Sequence, residues 1–196
     1  DGKESDVFSL IGPKRYEAPW RDIEAQGFIS PADCIEVRVR FTDDERGAYA
    51  TLADAERYHA TALAEQKSAA VATLLEQHRD DPTLVIGQYL DQLQQIADAT
   101  GLPLITGQTP TPERERLFEA FRTGEITALV VSKVANFSVD LPDARVAIQI
   151  SGAFGSRQEE AQRLGRILRP NRDGSRSLFY SIVVADTIDQ DYALSR

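Results

Sequence analysis

TLVIGQYLDQLQQIADATGLPLIT, residues 83–106, decides the fold. TLVIG (83–87) is a short, continuous apolar run of strand length, the pattern of a strand buried on both faces. YLDQLQQIADAT then has helical spacing and ends before Gly101, a residue suited to the left-handed conformation that closes a helix. PLIT (103–106) reads as the next strand.

The alternation continues toward the C-terminus. Thr111 is placed to cap a helix with Pro112 at its first position, and ERERLFEAFR runs on to a stop at Gly124. TALVVS (127–132) and RVAIQIS (145–151) read as strands around a loop containing DLPDA. Ser156 and Glu159 form a capping box for a helix that ends at Pro170. SLFYSIVVA (177–185) is a further strand, and TIDQDYALSR predicts a short terminal helix. Strands alternating with helices of this length predict an α/β fold with a parallel sheet covered on both faces.

Residues 1–82 have a different pattern and divide from an α/β unit over 83–196. CIEVRVRF (34–41) alternates strictly, with Ile35, Val37, Val39 and Phe41 on one face. Thr42 and Glu45 form a capping box that opens an alanine-rich helical stretch reaching about His78. YEAPWRDIEAQG predicts a short helix around Trp20, begun at Pro19. The expected arrangement is an approach strand and a helical hairpin packed on the α/β unit.

At 196 residues, with 42% hydrophobic and 27% charged residues, the chain has the composition of a soluble globular protein with a real core. A single cysteine, Cys34, allows no internal disulfide and suits a reducing, intracellular setting. No apolar run approaches membrane-spanning length, and DGKESDVF lacks the layout of a signal peptide, so no membrane partner is expected. The absence of any methionine suggests a piece of something longer. The net charge of −9 argues against binding nucleic acid by bulk electrostatics. Between Ser151 and Arg176, however, six arginines stand against three acids.

Within that basic segment, EEAQRLGRILRP (159–170) wound as a helix puts Gln162, Arg166 and Arg169 on one stripe, with Gly165 beside it. Leu164, Ile167 and Leu168 face the other way, toward a core. The plain alternative is an amphipathic helix whose arginines face water. There is no GxxxxGK[ST] loop, since Gly2-Lys3 is followed by Glu4, so the chain cannot by itself cradle a triphosphate. His59, His78 and Cys34 form no nucleophile–base pattern, and both histidines read as helix-surface residues.

Gln162, Gly165, Arg166 and Arg169 spell QxxGRxxR, which resembles motif VI of superfamily two helicases. VVSKVANFSVDLPDA resembles their motif V, and LVIGQYLDQL their motif IV. LITGQTPTPERERLFEAF resembles the segment after motif IV. DVFSLIGPKRYEAPW, SKVANFSVDLPDA and QISGAFGSRQEEAQRLGRILRP are similar to the second motor domain of the XPB family, the xeroderma pigmentosum group B DNA helicases. The resemblance implies a RecA-like fold and ATP-driven 3′→5′ translocation on, or opening of, DNA in repair. It also implies promoter opening by eukaryotic relatives within a general transcription factor. Residues 43–78 lie where the family carries a thumb-like insertion.

By that resemblance, ATP with Mg2+ binds between two motor domains, the P-loop and most of the metal's ligands lying on an N-terminal domain that this chain lacks. Arg166 and Arg169 are its arginine fingers toward the γ-phosphate. Gln162 bonds the nucleotide or an arginine, and Asp140 links the nucleotide to the motif V loop. Gly107, Thr109, Ser132 and Lys133 are candidates for DNA phosphate contacts through N–H groups, a hydroxyl or an ammonium. The expected partners are DNA, the chain's own N-terminal motor domain and repair proteins. The setting is the nucleoid in a prokaryote or the nucleus in a eukaryote. The alternative from another class is a non-catalytic DNA-binding or scaffold module on the same fold.

Overall fold

A computed structural model describes residues 32–132, 144–151 and 176–194. The predicted helix around Trp20, the Ser156–Glu159 capping box and the arginine helix with Gln162, Arg166 and Arg169 lie outside the described residues, as do Lys133 and Asp140.

The described chain runs β1 (Ala32–Val39), α1 (Asp43–Thr51), α2 (Asp54–Ala62), α3 (Glu65–Gln77), β2 (Thr83–Gly87), α4 (Leu90–Thr100), β3 (Leu104–Ile105), α5 (Thr111–Thr123), β4 (Ala128–Ser132), β5 (Val146–Gln149), β6 (Ser177–Val184) and α6 (Ile188–Leu194). The strands form one six-stranded sheet in the order β1-β6-β5-β2-β4-β3, and every neighbouring pair is parallel. β1 pairs with β6 along its whole length, from Ala32 beside Ser177 to Val39 beside Val184.

Side chains alternate across the sheet, so each central strand feeds two cores. On one face Val85, Val130, Ile148 and Ile182 pack with Leu74 of α3 and with Leu93 and Ile96 of α4. On the other, Leu84, Ile86, Leu129 and Val131 pack with Leu117, Phe118 and Phe121 of α5. That double burial is why TLVIG and ALVVS are buried at every position and apolar at all but one, Thr83 and Ser132 being the exceptions. In the edge strand β1, Ile35, Val37 and Val39 are buried, in the expected alternation.

Three local expectations are corrected. First, the alanine-rich stretch forms three helices, α1, α2 and α3, where a two-helix hairpin was expected. The backbone opens into extended conformations at Leu52–Ala53 and again at Ala64. The breaks are stabilised locally: the Arg57 guanidinium donates to the Leu52 carbonyl at 3.1 Å, and the Ala53 N–H reaches the Glu56 carboxylate at 3.4 Å. Second, Thr111 is the first residue of α5 and not its cap; extended Pro110 holds that position, with Pro112 inside the first turn. The threonine that bonds locally is Thr109, before the helix. Third, β1 begins two residues earlier than the alternation suggested and stops at Val39, where the Ala185 N–H donates to its carbonyl at 2.8 Å. Beyond that bond the chain turns to the Thr42 cap, where the predicted capping box is present.

Candidate functional site

In a parallel sheet the loops that bind ligands leave the C-terminal ends of the strands. Here the register aligns four such exits. Gly87 of β2 is level with Ser132 of β4, and Ile105 of β3 with Val131 of β4, so Thr106 is the next residue beside Ser132. Ile86 is level with Gln149, and the Ile150 N–H donates to the Ile86 carbonyl at 3.0 Å, which carries the ladder one residue past β5.

The β3 exit is a tight turn built by two threonines. The Thr106 N–H donates to Thr109 Oγ1 at 2.9 Å, the Gln108 N–H to Thr106 Oγ1 at 3.1 Å, and the Thr109 N–H to the Thr106 carbonyl at 3.2 Å. Arg114, on the first turn of α5, holds the turn from below by donating to the Thr109 carbonyl at 2.9 Å. Gly107 and Gln108 are exposed and Thr109 half-buried, immediately ahead of the 13-residue helix α5. A helix N-terminus behind an exposed, glycine-containing turn is the kind of place where phosphate oxygens bind. Among the described residues, no group of three His, Cys, Asp or Glu side chains could hold a metal ion.

Gly107, Thr109 and Ser132 are thus brought to adjacent strand ends, but not equally presented. Ser132 is 1% exposed. Lys133, Asp140, Gln162, Arg166 and Arg169 lie outside the described residues.

The β5 exit is held by Lys67, which lies outside every motif-like segment, together with Gln92, Gln88 and Ser151. Lys67 of α3 donates to the Ile150 carbonyl at 2.8 Å and to Asp189 Oδ2 of α6 at 2.7 Å, with side chains only 1% and 5% exposed. Gln92 Nε2 of α4 donates to the same Ile150 carbonyl at 3.2 Å and to the Ala62 carbonyl. Ser151 Oγ accepts from the Gln88 N–H at 2.8 Å, joining the β5 and β2 exits. A sequence signal existed: Lys67, Ala70, Val71 and Leu74 form the buried stripe of α3, so a lysine stands where an apolar residue is expected.

Beside α4, His59 pairs with Asp91 at 2.7 Å and lies 4.7 Å, centroid to centroid, from the Tyr89 ring. Burial, then the carboxylates of Asp189 and Asp91, push the Tyr89 phenol up from its ordinary value. His78 corrects the helix-surface reading. It is buried at the end of α3, with Asp81 at 3.0 Å on one nitrogen and Tyr180 at 2.9 Å on the other. It is a structural residue at the opposite, N-terminal side of the sheet.

The family model for the ERCC3/RAD25/XPB C-terminal helicase matches residues 23–196. The chain belongs to this family. It is 63% identical, over its full length, to a protein of Kineococcus radiotolerans named DNA 3′-5′ helicase XPB, and 61% identical to one of the same name from Mycobacterium tuberculosis. A Schizosaccharomyces pombe relative, named General transcription and DNA repair factor IIH helicase/translocase subunit XPB, is 38% identical over 202 residues. This XPB-family chain spans 35% and 36% of the two bacterial relatives and 25% of the fungal one.

Solved structures agree on the fold. The helicase MrfA bound to DNA superposes with a TM-score of 0.60 at 17% identity, covering 84% of this chain and 22% of that one. A DEAD box protein from Methanococcus jannaschii gives 0.54 at 17% identity, covering 86% and 38%. The sheet is the RecA-like α/β fold of helicase motor domains. Among the described residues, no helix is long and apolar enough to cross a membrane.

Proposed function

We propose that this chain is the C-terminal motor half of an ATP-dependent 3′–5′ DNA helicase or translocase that acts in DNA repair. The observation that carries the reading is the convergence of strand exits on one edge of the sheet. The Thr106–Thr109 turn and Ser132 end adjacent strands, and Ile150–Ser151 begins the run that contains QxxGRxxR.

In this reading the 106–109 turn and Lys133 grip the DNA backbone, while the run after Ser151 faces the nucleotide. ATP lies between this domain and an N-terminal motor domain, which supplies the P-loop and most of the Mg2+ ligands. Bound ATP supplies the phosphoryl group whose transfer to water drives the motor. Arg166 and Arg169 neutralise the charge that spreads over the γ-phosphate oxygens as the transition state forms. Gln162 hydrogen-bonds the nucleotide or an arginine, and Asp140 ties the nucleotide side to the motif V loop. The arginines engage only with the triphosphate present, so its hydrolysis releases the cleft and lets the DNA contacts shift. Residues 43–78 serve as the thumb-like part and 83–196 as the motor, with repair proteins as further partners, in the nucleoid or the nucleus.

The test compares the full-length protein with this chain alone. The full-length protein is expected to hydrolyse ATP with stimulation by DNA. The isolated chain is expected to show no turnover and only weak, salt-sensitive DNA binding, because half the nucleotide site is missing and its net charge is −9. No turnover by the full-length protein, with DNA binding intact, would establish the non-catalytic module instead.

A further inference from the structure

We propose that Lys67 is a positioning residue for ATP turnover: through the Ile150 carbonyl it fixes where the arginine-bearing run leaves the sheet, and so makes the helical part of the chain a working piece of the motor. The inference rests on the motor reading above and extends it to a residue outside every helicase-like motif in the sequence.

The geometry is specific. The Ile150 carbonyl accepts from both Lys67 Nζ at 2.8 Å and Gln92 Nε2 at 3.2 Å, which uses both of its lone pairs. Ser151, the next residue, accepts the Gln88 N–H at 2.8 Å. The β5 exit is therefore gripped from α3, α4 and the end of β2 at once. Lys67 also draws in α6, because Asp189 Oδ2 accepts from Lys67 and from the Val184 N–H at 3.0 Å. A point charge buried to 1% exposure is a costly way to fill a core, and an apolar pair of similar volume often serves stability as well or better. What an apolar pair cannot do is hold a carbonyl in place. The motif IV-like segment leaves the sheet at the end of β2 and the run with QxxGRxxR at the end of β5; the Ser151–Gln88 bond joins these exits, and Lys67 fixes the β5 one.

The test uses Lys67→Met/Asp189→Asn in the full-length protein, which removes both charges and leaves an acceptor for the Val184 N–H. Ser151→Ala releases the same exit from the other side without touching a charge. Each variant is read by thermal melt, by kcat and KM for DNA-stimulated ATP hydrolysis, and by hydrogen exchange at the Gln88 and Ile150 amides. Positioning predicts a fall in kcat of about tenfold or more, as expected when reacting groups are misplaced. KM for ATP should move by less than about twofold, and both amides should exchange about tenfold faster while the melt stays close to wild type. A purely structural pair predicts the opposite, a shifted melt with unchanged kcat in whatever protein is folded, and that result overturns the proposal. If the double variant does not fold, Ser151→Ala decides on kcat, KM, the melt and Ile150 exchange, since it removes the Gln88 N–H's own acceptor. If the wild-type protein shows no turnover, the motor reading has failed. The clamp is then judged by exchange alone, and unchanged protection of Gln88 and Ile150 overturns it.

Discussion

Gly87 and Ile150 meet with no room for a methyl group: a Cβ on Gly87 would lie 2.9 Å from Ile150 Cγ1 and 3.0 Å from Leu93 Cδ2. Ile150 and Leu93 are both 0% exposed, so neither can give way into solvent. The glycine lets the ends of β2 and β5 close on each other beneath α4. Gly87→Ala is expected to cost about 1–3 kcal/mol through overpacking. For a chain of this size each kcal/mol lowers Tm by about 2–4 °C. A melt unchanged from wild type would show that the contact can relax.

Glu45 ties the first cap to a later helix. Its carboxylate accepts the Thr42 N–H at 2.8 Å and the Thr42 hydroxyl at 3.0 Å, and its other oxygen accepts the Glu65 N–H at 2.8 Å. Burial pulls this carboxyl upward, but the three hydrogen bonds together outweigh it and hold the pKa below its ordinary value. A carboxyl depressed in the folded state stabilises above its unfolded pKa, and the contribution disappears as pH falls through the folded value. Glu45→Gln should therefore lower Tm at pH 7, and its gap from wild type should narrow below about pH 4, near where a free glutamate protonates. Melts at both pH values check this; a gap that is constant with pH would assign the effect to lost geometry and not to charge.

The parallel sheet was legible because a strand buried on both faces must be apolar at every position, as Thr83–Gly87 and Ala128–Ser132 nearly are. The capping box at Thr42 was legible because its bonds lie within four residues. The pairing of β1 with β6 was not, because it joins residues about 145 apart and neither strand's pattern names its partner. The breaks at Leu52 and Ala64 were hidden for a similar reason: alanine favours helix throughout, and the interruptions depend on packing. At the site, Gly107 and Thr109 lie in the turn after β3 and Ser132 ends β4, and the burial of Ser132 follows from its neighbours. Lys67 left a trace, a charge on an apolar stripe, whose partners lie 83 and 122 residues away.

Lys133 follows the last residue of β4, where the strand level with Gly87 leaves the sheet. A lysine at that exit can meet one phosphate without reading a base. Lys133→Ala in the full-length protein is expected to weaken DNA binding similarly for all sequences and to reduce the salt slope by about one unit. Binding titrations across a series of salt concentrations measure the slope. An unchanged slope with normal DNA-stimulated turnover would make Lys133 a solvated loop residue.

Arg169 carries the sharpest expectation, since it separates a finger from a helix surface. Wound as the helix that its sequence predicts, its segment would put it on a stripe with Gln162 and Arg166, opposite Leu164, Ile167 and Leu168. If it meets the γ-phosphate, its contact strengthens as charge develops, so its removal should act on kcat far more than on the apparent affinity for ATP. Arg169→Ala in the full-length protein is expected to cut DNA-stimulated kcat by roughly a thousandfold, within the range an arginine finger supplies. Arg169→Lys should restore little, because an ammonium keeps the charge but loses the planar fork that engages two oxygens together. The melt should barely move, since substitutions on a polar helix face usually change stability by about 0.5 kcal/mol or less. Single-turnover hydrolysis beside a melt of each variant separates these effects. Near-wild-type hydrolysis in Arg169→Ala, with the fold intact, would return the stripe to solvent and move the search for the finger to Arg166.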